Sequence, residues 1–198
     1  MTMNYQPDHH ETLLWVRNVQ LSYDGQPLFS KPISFELNRG DRLALIGPNG
    51  SGKSSLIAAI LGQFKGEVTG EIQLTENAKR SLVRQHYPDN VGTLTQFAEK
   101  RGLSYQALLN NLKKLGMPRT TFNTPIQQLS AGQQKKVELA ASLATPTSLY
   151  LWDEPLNYLD VFNQEQLTTL IQTVQPTMLI TEHDRDFIQS VSTKIVSL

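Results

Sequence analysis

The chain has 198 residues, enough for one well-buried domain with a small inserted subdomain but short for two full domains. Eighteen Lys and Arg residues balance eighteen Asp and Glu residues, so no protein-wide charge favours nucleic acid or an anionic membrane as a partner. The absence of cysteine excludes disulfides, thiolate metal sites and cysteine nucleophiles.

The N-terminal residues 1–12 are polar and show no hydrophobic period, which predicts a flexible leader. The pair His9-His10 within it has two interpretations, metal ligands or exposed surface. Strands are predicted over Leu13–Tyr23 and Ile33–Leu37, with an Asp-Gly turn signal after the first, and they indicate an antiparallel β-layer. An aromatic ring at Tyr23 could stack on a nucleotide base or belong to the core, and the sequence leaves both open.

A glycine-rich stretch follows a strand predicted over Arg42–Ile46 and precedes a helix predicted over Ser55–Leu61. It fits the pattern G-x-x-x-x-G-K-[ST] of the phosphate-binding loop, whose glycines turn backbone N–H groups inward around an anion at a helix N-terminus. We expect Lys53 to reach the β- and γ-phosphates of a nucleotide and Ser54 to ligate Mg²⁺. The nucleotide-binding residues predicted here are Gly47, Pro48, Asn49, Gly50, Ser51, Gly52, Lys53, Ser54 and Ser55.

The middle of the chain changes from strands to helices. Short strands are predicted over Gly70–Leu74 and Ser81–Gln85, which places Gln85 at a strand end. Two helices are predicted between Thr93 and Leu115, and the second carries a stripe of leucines that serves either the core or a partner groove. These helices, with the helix that follows them, predict a helical subdomain over about 86–145, set into the α/β core.

The C-terminal third places carboxylates and a histidine at predicted strand ends. An apolar strand over Ser148–Trp152 is followed by Asp153 and Glu154, and another over Thr177–Thr181 is followed by Glu182 and His183. Runs this apolar are typical of buried parallel strands, and ligands gather at the carboxyl ends of such strands. We therefore expect Asp153, Glu154 and His183 to lie beside the phosphates.

With these motifs in this order, the chain resembles the nucleotide-binding domain of the ATP-binding-cassette (ABC) superfamily from Leu13 to Leu198. The resemblance implies an α/β P-loop NTPase fold with a mostly parallel central sheet, an antiparallel β-layer and an inserted helical subdomain. It also implies that ATP and Mg²⁺ are bound and that Tyr23 stacks on the base. The catalytic residues that it implies are Glu154, His183 and Gln85, and the metal-binding residues are Ser54, Gln85 and Asp153.

The stretch Leu129–Gln133 resembles the signature motif of this superfamily, Leu-Ser-Gly-Gly-Gln, with Ala131 in place of the first glycine. Because alanine is mild in a first helical turn, the Ser130 hydroxyl and nearby N–H groups should still meet a γ-phosphate. In this superfamily the signature of one domain completes the Walker A site of another. The resemblance therefore implies a second ABC domain as partner and weak hydrolysis by a lone copy. The further nucleotide-binding residues that it implies are Ser130, Ala131, Gly132, Gln133 and the D-loop residue Asp160.

Two stretches, Asp153–Gln164 and Ser130–Ala140, resemble the ABC-F proteins, which are soluble, act on the ribosome and carry two ABC domains in one chain. The sequences of these two stretches are most similar to those of the bacterial group that protects ribosomes from lincosamides, pleuromutilins and streptogramin A. They differ at Tyr158, where many ABC-F proteins have His. The resemblance implies the ribosome and its rRNA as partners and a cytoplasmic location. We expect the chain to be the C-terminal half of a two-domain protein, since no arm-like insertion interrupts it.

Two other classes of function remain open at this stage. One is the ATPase subunit of a membrane transporter, which would dock on a transmembrane partner because this chain has no apolar run near the ~20 residues of a spanning helix. The other is a nucleotide-dependent binding module without useful hydrolysis. The basic pairs Lys113-Lys114 and Lys135-Lys136 are either solvated helix faces or contacts for rRNA phosphates.

Overall fold

The computed structural model describes residues 1–198, and its strands form two sheets. The first sheet is antiparallel, and a long strand lies at its centre, because the three other strands of the sheet all pair with this one. This arrangement confirms the predicted antiparallel layer. The strands are β1 (Thr12–Tyr23), β2 (Gln26–Pro27), β3 (Ile33–Asn38) and β5 (Glu67–Leu74).

The second sheet is central and parallel throughout. Its strands are β4 (Arg42–Ile46), β6 (Arg80–Val83), β7 (Leu149–Asp153), β8 (Met178–Thr181) and β9 (Lys194–Ser197). Their order across the sheet is β6-β7-β8-β4-β9. All residues of β7 and β8 are buried, as expected for strands covered on both faces. Because the strands are parallel, the segments that follow β4, β6, β7 and β8 meet at one edge of the sheet.

Six α-helices surround this sheet. They are α1 (Lys53–Ile60), α2 (Leu94–Lys100), α3 (Tyr105–Lys114), α4 (Ala131–Ala144), α5 (Val161–Val174) and α6 (Arg185–Val191), and short 3₁₀ turns cover Arg119–Thr121 and Ile126–Gln128. Polar caps start several of them: the Ser104 hydroxyl accepts a hydrogen bond from the N–H of Ala107 at the start of α3. No helix is both long enough and apolar enough to cross a membrane.

The apolar side chains form two clusters, one on each side of the central sheet. The first lies between the antiparallel sheet, α1 and the central sheet, and the second joins α2, α3 and α4 to β7 and β8. Leu108, Leu112 and Leu115 are fully buried in the second cluster. The leucine stripe of α3 therefore packs in the core, and a partner groove along it is not supported.

The flexible leader predicted over 1–12 is wrong for its first half. The backbone N–H of Asn4 donates to the carbonyl of Leu143, and Asn4 and Gln6 exchange hydrogen bonds with Thr147. Met1, Met3 and Tyr5 pack against the second cluster while the residues between them are exposed. The sequence did not reveal this segment because its buried and exposed side chains alternate with period two over residues 1–6 only. That is too short for the pattern to be recognised among the polar residues around it.

Two other features of the fold were not specified by the sequence. The strands β5 and β6 are consecutive along the chain but belong to different sheets, so the turn between them connects two layers. Helix α6 is absent from the predicted elements although Asp184 caps it by accepting a hydrogen bond from the N–H of Phe187. With only seven residues, α6 is too short to show a clear helical period.

Candidate functional site

The loop between β4 and α1 has the geometry of an anion cradle. Gly50 and Gly52 adopt φ angles of +80° and +92°, which favour glycine because it has no Cβ. A Cβ on Gly52 would lie 2.7 Å from Cε1 of Phe29, whereas no atom lies within 4 Å of the place where a Cβ on Gly50 would stand. Gly52 is therefore needed for close packing, and the backbone at Gly50 is open to an approaching group.

Hydrogen-bond donors line this cradle. The ammonium group of Lys53 lies inside the loop and donates to the carbonyl oxygens of Gly47, at 2.9 Å, and Pro48, at 3.0 Å. The Ser51 hydroxyl is buried and has no hydrogen-bond partner. Helix α1 begins at Lys53, so its free N–H groups lie beside the same loop. An ammonium, an unpartnered hydroxyl and a helix N-terminus together fit a phosphate chain.

The cradle opens into a cavity of about 410 Å³. Apart from one leucine, its walls are residues that the sequence assigned to nucleotide binding or catalysis. The lining residues are Leu28, Asn49, Gly50, Gly52, Lys53, Ser54, Ser55, Gln85, Glu154 and His183. The structure thus brings together residues from four separate strand ends, and Leu28 is a wall residue that the sequence analysis missed.

Oxygen groups suited to a hard cation lie next to Ser54 and Gln85 of this cavity wall. The amide nitrogen of Gln85 donates to the hydroxyl of Ser54 and to Oδ1 of Asp153, both at 3.2 Å. Thr181 donates its hydroxyl proton to the same Asp153 oxygen. A hydroxyl and a carboxylate are ligands that Mg²⁺ prefers in proteins, and the Gln85 amide would present its oxygen to the ion after rotation about its last side-chain bond. This donor set therefore fits Mg²⁺, with Ser54, Asp153 and Gln85 as the residues that would hold it.

The second carboxylate, Glu154, is held by a sharp turn after β7. Its φ of +49° is uncommon for a residue with a side chain, and its N–H donates to the carbonyl oxygen of Thr181 at 3.0 Å. One carboxylate oxygen accepts a hydrogen bond of 2.7 Å from the Asn157 amide, and the other lies 3.3 Å from Nε2 of His183. Glu154 is thus fixed from both sides and still faces the cavity.

Glu182 positions the two segments that carry these residues, a role that the sequence analysis did not assign. Its buried carboxylate accepts hydrogen bonds from the backbone N–H groups of Leu156, at 2.9 Å, and His183, at 2.8 Å. It therefore links the turn after Glu154 to the segment after β8. The only signal in the sequence was an acidic residue directly after an apolar strand.

The signature residues lie outside this cavity. Ser130 begins α4 with a reciprocal cap, since its hydroxyl accepts from the N–H of Gln133 while the Gln133 side chain accepts from the N–H of Ser130. Gly132 packs against the D-loop, because a Cβ there would lie 3.5 Å from Cβ of Tyr158. The structure thus separates Ser130, Ala131, Gly132 and Gln133 from the phosphate cradle of the same chain.

Two other predicted nucleotide contacts also lie outside the cavity wall. Tyr23 is half exposed, and its ring packs against Phe64 with the ring centres 4.8 Å apart. Asp160 caps α5, where it accepts hydrogen bonds from the backbone N–H and the side-chain amide of Asn163. The backbone hydrogen bond from Asn163 is the main reason that the pKa of Asp160 lies below its ordinary value.

Neither interpretation of the basic pair Lys135-Lys136 holds for Lys135. Its side chain is only 2% exposed, so it is neither a solvated surface residue nor a contact for rRNA. Its burial lowers its pKa, against the attraction of nearby carboxylates, chiefly Glu138 and Asp153. Burial alone would lower the pKa of Arg84, but the hydrogen bonds and negative charges of Glu138 and Asp89 outweigh burial and raise that pKa.

Comparison with known proteins places this site in a family. The pattern of the ABC transporter family matches residues 30–157. The ATP-binding protein Uup-like of Haemophilus influenzae is 33% identical over 173 residues, which are 83% of this chain and 37% of that protein. The ribosome protection protein VmlR of Bacillus subtilis is 31% identical over 182 residues, which are 90% of this chain and 33% of that protein. ABC transporter F family member 5 of Arabidopsis thaliana is 27% identical over 195 residues, 92% of this chain and 27% of that protein.

Solved structures share the fold. The ATP-binding subunit of an ABC transporter superposes with a TM-score of 0.78 at 22% identity, over 94% of this chain and 86% of that one. This chain spans about a third of the length of the curated relatives. Since the family pattern covers most of the chain, the chain belongs to the ABC transporter family, and the relatives named Uup, VmlR and ABC transporter F family member 5 support its assignment to the ABC-F type.

Proposed function

We propose that this domain hydrolyses MgATP as the C-terminal of two ABC domains in a cytoplasmic protein that acts on the bacterial ribosome. The observation that supports ATP hydrolysis most directly is the position of Glu154. Its carboxylate faces the phosphate cradle and is fixed by Asn157 on one side and His183 on the other.

The residues of the site have separate roles in ATP binding and hydrolysis. Lys53 and the loop N–H groups hold the β- and γ-phosphates, while Ser54, Asp153 and Gln85 hold Mg²⁺, which offsets the phosphate charge when it is bound. The Glu154 carboxylate orients a water molecule and accepts its proton as the water oxygen bonds to the γ-phosphorus. The bond from that phosphorus to the bridging oxygen breaks, and ADP leaves. His183 keeps Glu154 aligned with the γ-phosphate.

A second ABC domain completes the site. The signature residues Ser130 and Ala131 are exposed at the start of α4 and lie outside the cavity of their own chain. The Ser130 hydroxyl accepts a hydrogen bond from Gln133 and keeps its own proton to donate, so this hydroxyl and the N–H of Ala131 are available to the γ-phosphate bound by another domain. We therefore expect an isolated domain to bind ATP and to hydrolyse it slowly.

The proposed action on the ribosome rests on sequence similarity to known proteins. One relative is named as a ribosome protection protein, and it aligns with 90% of this chain. The sequence around Glu154 and Asp160 resembles that of ABC-F proteins. Because the formal net charge is zero, contact with rRNA would depend on local patches of basic residues. Resistance to lincosamides, pleuromutilins or streptogramin A is the corresponding biological outcome.

The test is cosedimentation of the full-length protein with bacterial ribosomes, with Glu154→Gln in this domain to slow hydrolysis. We expect the variant to pellet with ribosomes in ATP and to stay in the supernatant in ADP. Binding in neither nucleotide, by a protein that binds ATP, would contradict the ribosomal role. Copurification with a membrane protein would then favour a transporter subunit. An unchanged hydrolysis rate after Glu154→Gln would favour a binding module that does not use this site for hydrolysis.

A further inference from the structure

The helix that begins with the signature residues also carries a buried lysine next to the catalytic centre. We propose that Lys135 is a positioning residue for ATP hydrolysis, and that through it α4 sets the places of Gln85 and Glu154. This inference rests on the proposed function only in that Gln85 and Glu154 act on the nucleotide. Lys135 itself contacts neither the phosphate cradle nor the cavity.

Lys135 forms hydrogen bonds with two backbone carbonyl groups. Its ammonium donates to the carbonyl oxygen of Arg84 at 3.3 Å and to the carbonyl oxygen of Asp153 at 3.4 Å. These are the residues directly before Gln85 and Glu154 in the sequence. One cation thus ties together the ends of β6 and β7, at the points where the chain turns into the site.

A second residue of α4 holds the same part of the chain. Glu138, one turn after Lys135, is fully buried and accepts hydrogen bonds from the Arg84 backbone N–H at 3.3 Å and from Arg84 Nε at 2.7 Å. It also accepts from the amide of Asn90 at 2.7 Å. Both backbone groups of Arg84 are therefore bonded to α4, the N–H to Glu138 and the carbonyl to Lys135.

The position of Lys135 along α4 gives this arrangement a further consequence. Lys135 follows the capping residue Ser130 by five positions, which is about 7.5 Å along the helix axis at 1.5 Å per residue. A helix is rigid over this length, so a contact that moves its N-terminus also moves the ammonium group. Lys135 therefore connects the half-site formed by the signature to the half-site formed by Gln85 and Glu154 in the same chain.

A purely stabilising role fits Lys135 poorly. Glu138 is already paired with Arg84, but the carboxylates near Lys135 lose one cation when it is replaced, so Lys135→Met should also cost some stability. The interaction with two carbonyl groups is specific in geometry, and both groups belong to turns that lead into the site. Lys135→Met should for this reason cost activity more than it costs folding.

The experiment compares Lys135→Met, Lys135→Arg and the control Lys136→Met, whose lysine lies on the same helix and donates no hydrogen bond. Steady-state ATP hydrolysis, thermal unfolding and amide hydrogen exchange over residues 84–90 and 154–158 are measured on the full-length protein, in which the second ABC domain completes the site. We expect Lys135→Met to lower kcat about 10- to 100-fold, as misplaced catalytic groups do, with KM for ATP changed less than about twofold. Exchange should rise in both segments, Lys135→Arg should restore part of kcat, and Lys136→Met should resemble the wild type.

Three results would overturn the inference: an unchanged kcat in Lys135→Met, an equal loss of kcat and thermal stability without recovery in Lys135→Arg, or unchanged exchange in both segments. Failure of the proposed function looks different. If the full-length wild-type protein, with its second ABC domain, hydrolyses no ATP, then hydrolysis at this site is refuted, and the exchange measurement alone decides whether Lys135 orders the two segments.

Discussion

Nε2 of His183 lies 3.3 Å from Oε1 of Glu154, although the two residues are separated by a turn, a helix and a strand. The parallel pairing of β7 with β8 brings them together, since Asp153 stands opposite Thr181 at the last step of the register. Glu182 then holds the two following segments by accepting hydrogen bonds from both. The relation between the carboxylate and the imidazole is therefore a product of the sheet.

Glu154→Gln should lower ATP hydrolysis by about 100-fold or more, because an amide cannot take a proton from water. ATP affinity should change little, since the phosphate donors are elsewhere. Phosphate release and binding of a fluorescent ATP analogue measure the two effects, with the exposed Glu165→Gln as control. Hydrolysis at the wild-type rate would remove Glu154 from the mechanism.

His183→Ala should also slow hydrolysis, and its effect should depend on Glu154. If the imidazole acts by aligning the carboxylate, the double variant should be no slower than Glu154→Gln alone. Phosphate release from the wild type, both single variants and the double variant gives the comparison. Losses that multiply in the double variant would mean that His183 acts independently of Glu154.

Lys53→Met should weaken ATP binding by about 10- to 100-fold, because it removes a charge-assisted hydrogen bond to phosphate. The buried ammonium is held in the loop by the carbonyl oxygens of Gly47 and Pro48. Equilibrium binding of a fluorescent ATP analogue tests this expectation. Lys65→Met, which changes an exposed lysine after α1, should bind as the wild type does. Unchanged affinity in Lys53→Met would contradict the assignment of the cradle.

Glu182→Gln should destabilise the domain by about 1–3 kcal/mol, because the new NH₂ group leaves a buried backbone N–H without an acceptor. The carboxylate accepts from Leu156 and His183, and the residue is buried. Urea unfolding followed by circular dichroism gives the free energy of unfolding. Glu99→Gln, at an exposed position of α2, should change it little. Equal stability of both variants would show that Glu182 does not hold the segments of Leu156 and His183 together.

Asp160→Ala should cost about 1 kcal/mol of stability near pH 7, the usual effect of removing a helix cap. The hydrogen bond from the Asn163 N–H lowers the pKa of Asp160 from its ordinary value of 3.8 in the folded state. The unfolded chain therefore takes up the proton first as the pH falls. The contribution of Asp160 is fully present above pH 3.8 and is lost as the pH falls through the lower folded-state pKa.

Urea unfolding of the wild type and Asp160→Ala at several pH values between neutral and acidic tests this sign. The difference between the two proteins should shrink as the pH falls. A difference that stays constant or grows in acid would show that the negative charge of Asp160 contributes nothing to the cap.

The sequence was most informative where the relevant contacts are local. The Asp-Gly turn after β1 and the strand β4 depend on neighbours within a few residues, and the structure has both as predicted. The sequence was least informative where a segment is short. Residues 1–6 and helix α6 offer too few positions to show a period, although their contacts in the folded chain are well defined.

By itself, the sequence determined the donor chemistry of the phosphate loop, because glycine and lysine at that spacing act through the backbone of one continuous segment. Only the tertiary structure decided that Glu154 meets His183, that Glu182 holds both of their segments and that Lys135 is buried between Arg84 and Asp153. Each of these contacts joins different elements of the fold. They follow from the order of strands in the central sheet and from the packing of α4 against it, which no local pattern of residues specifies.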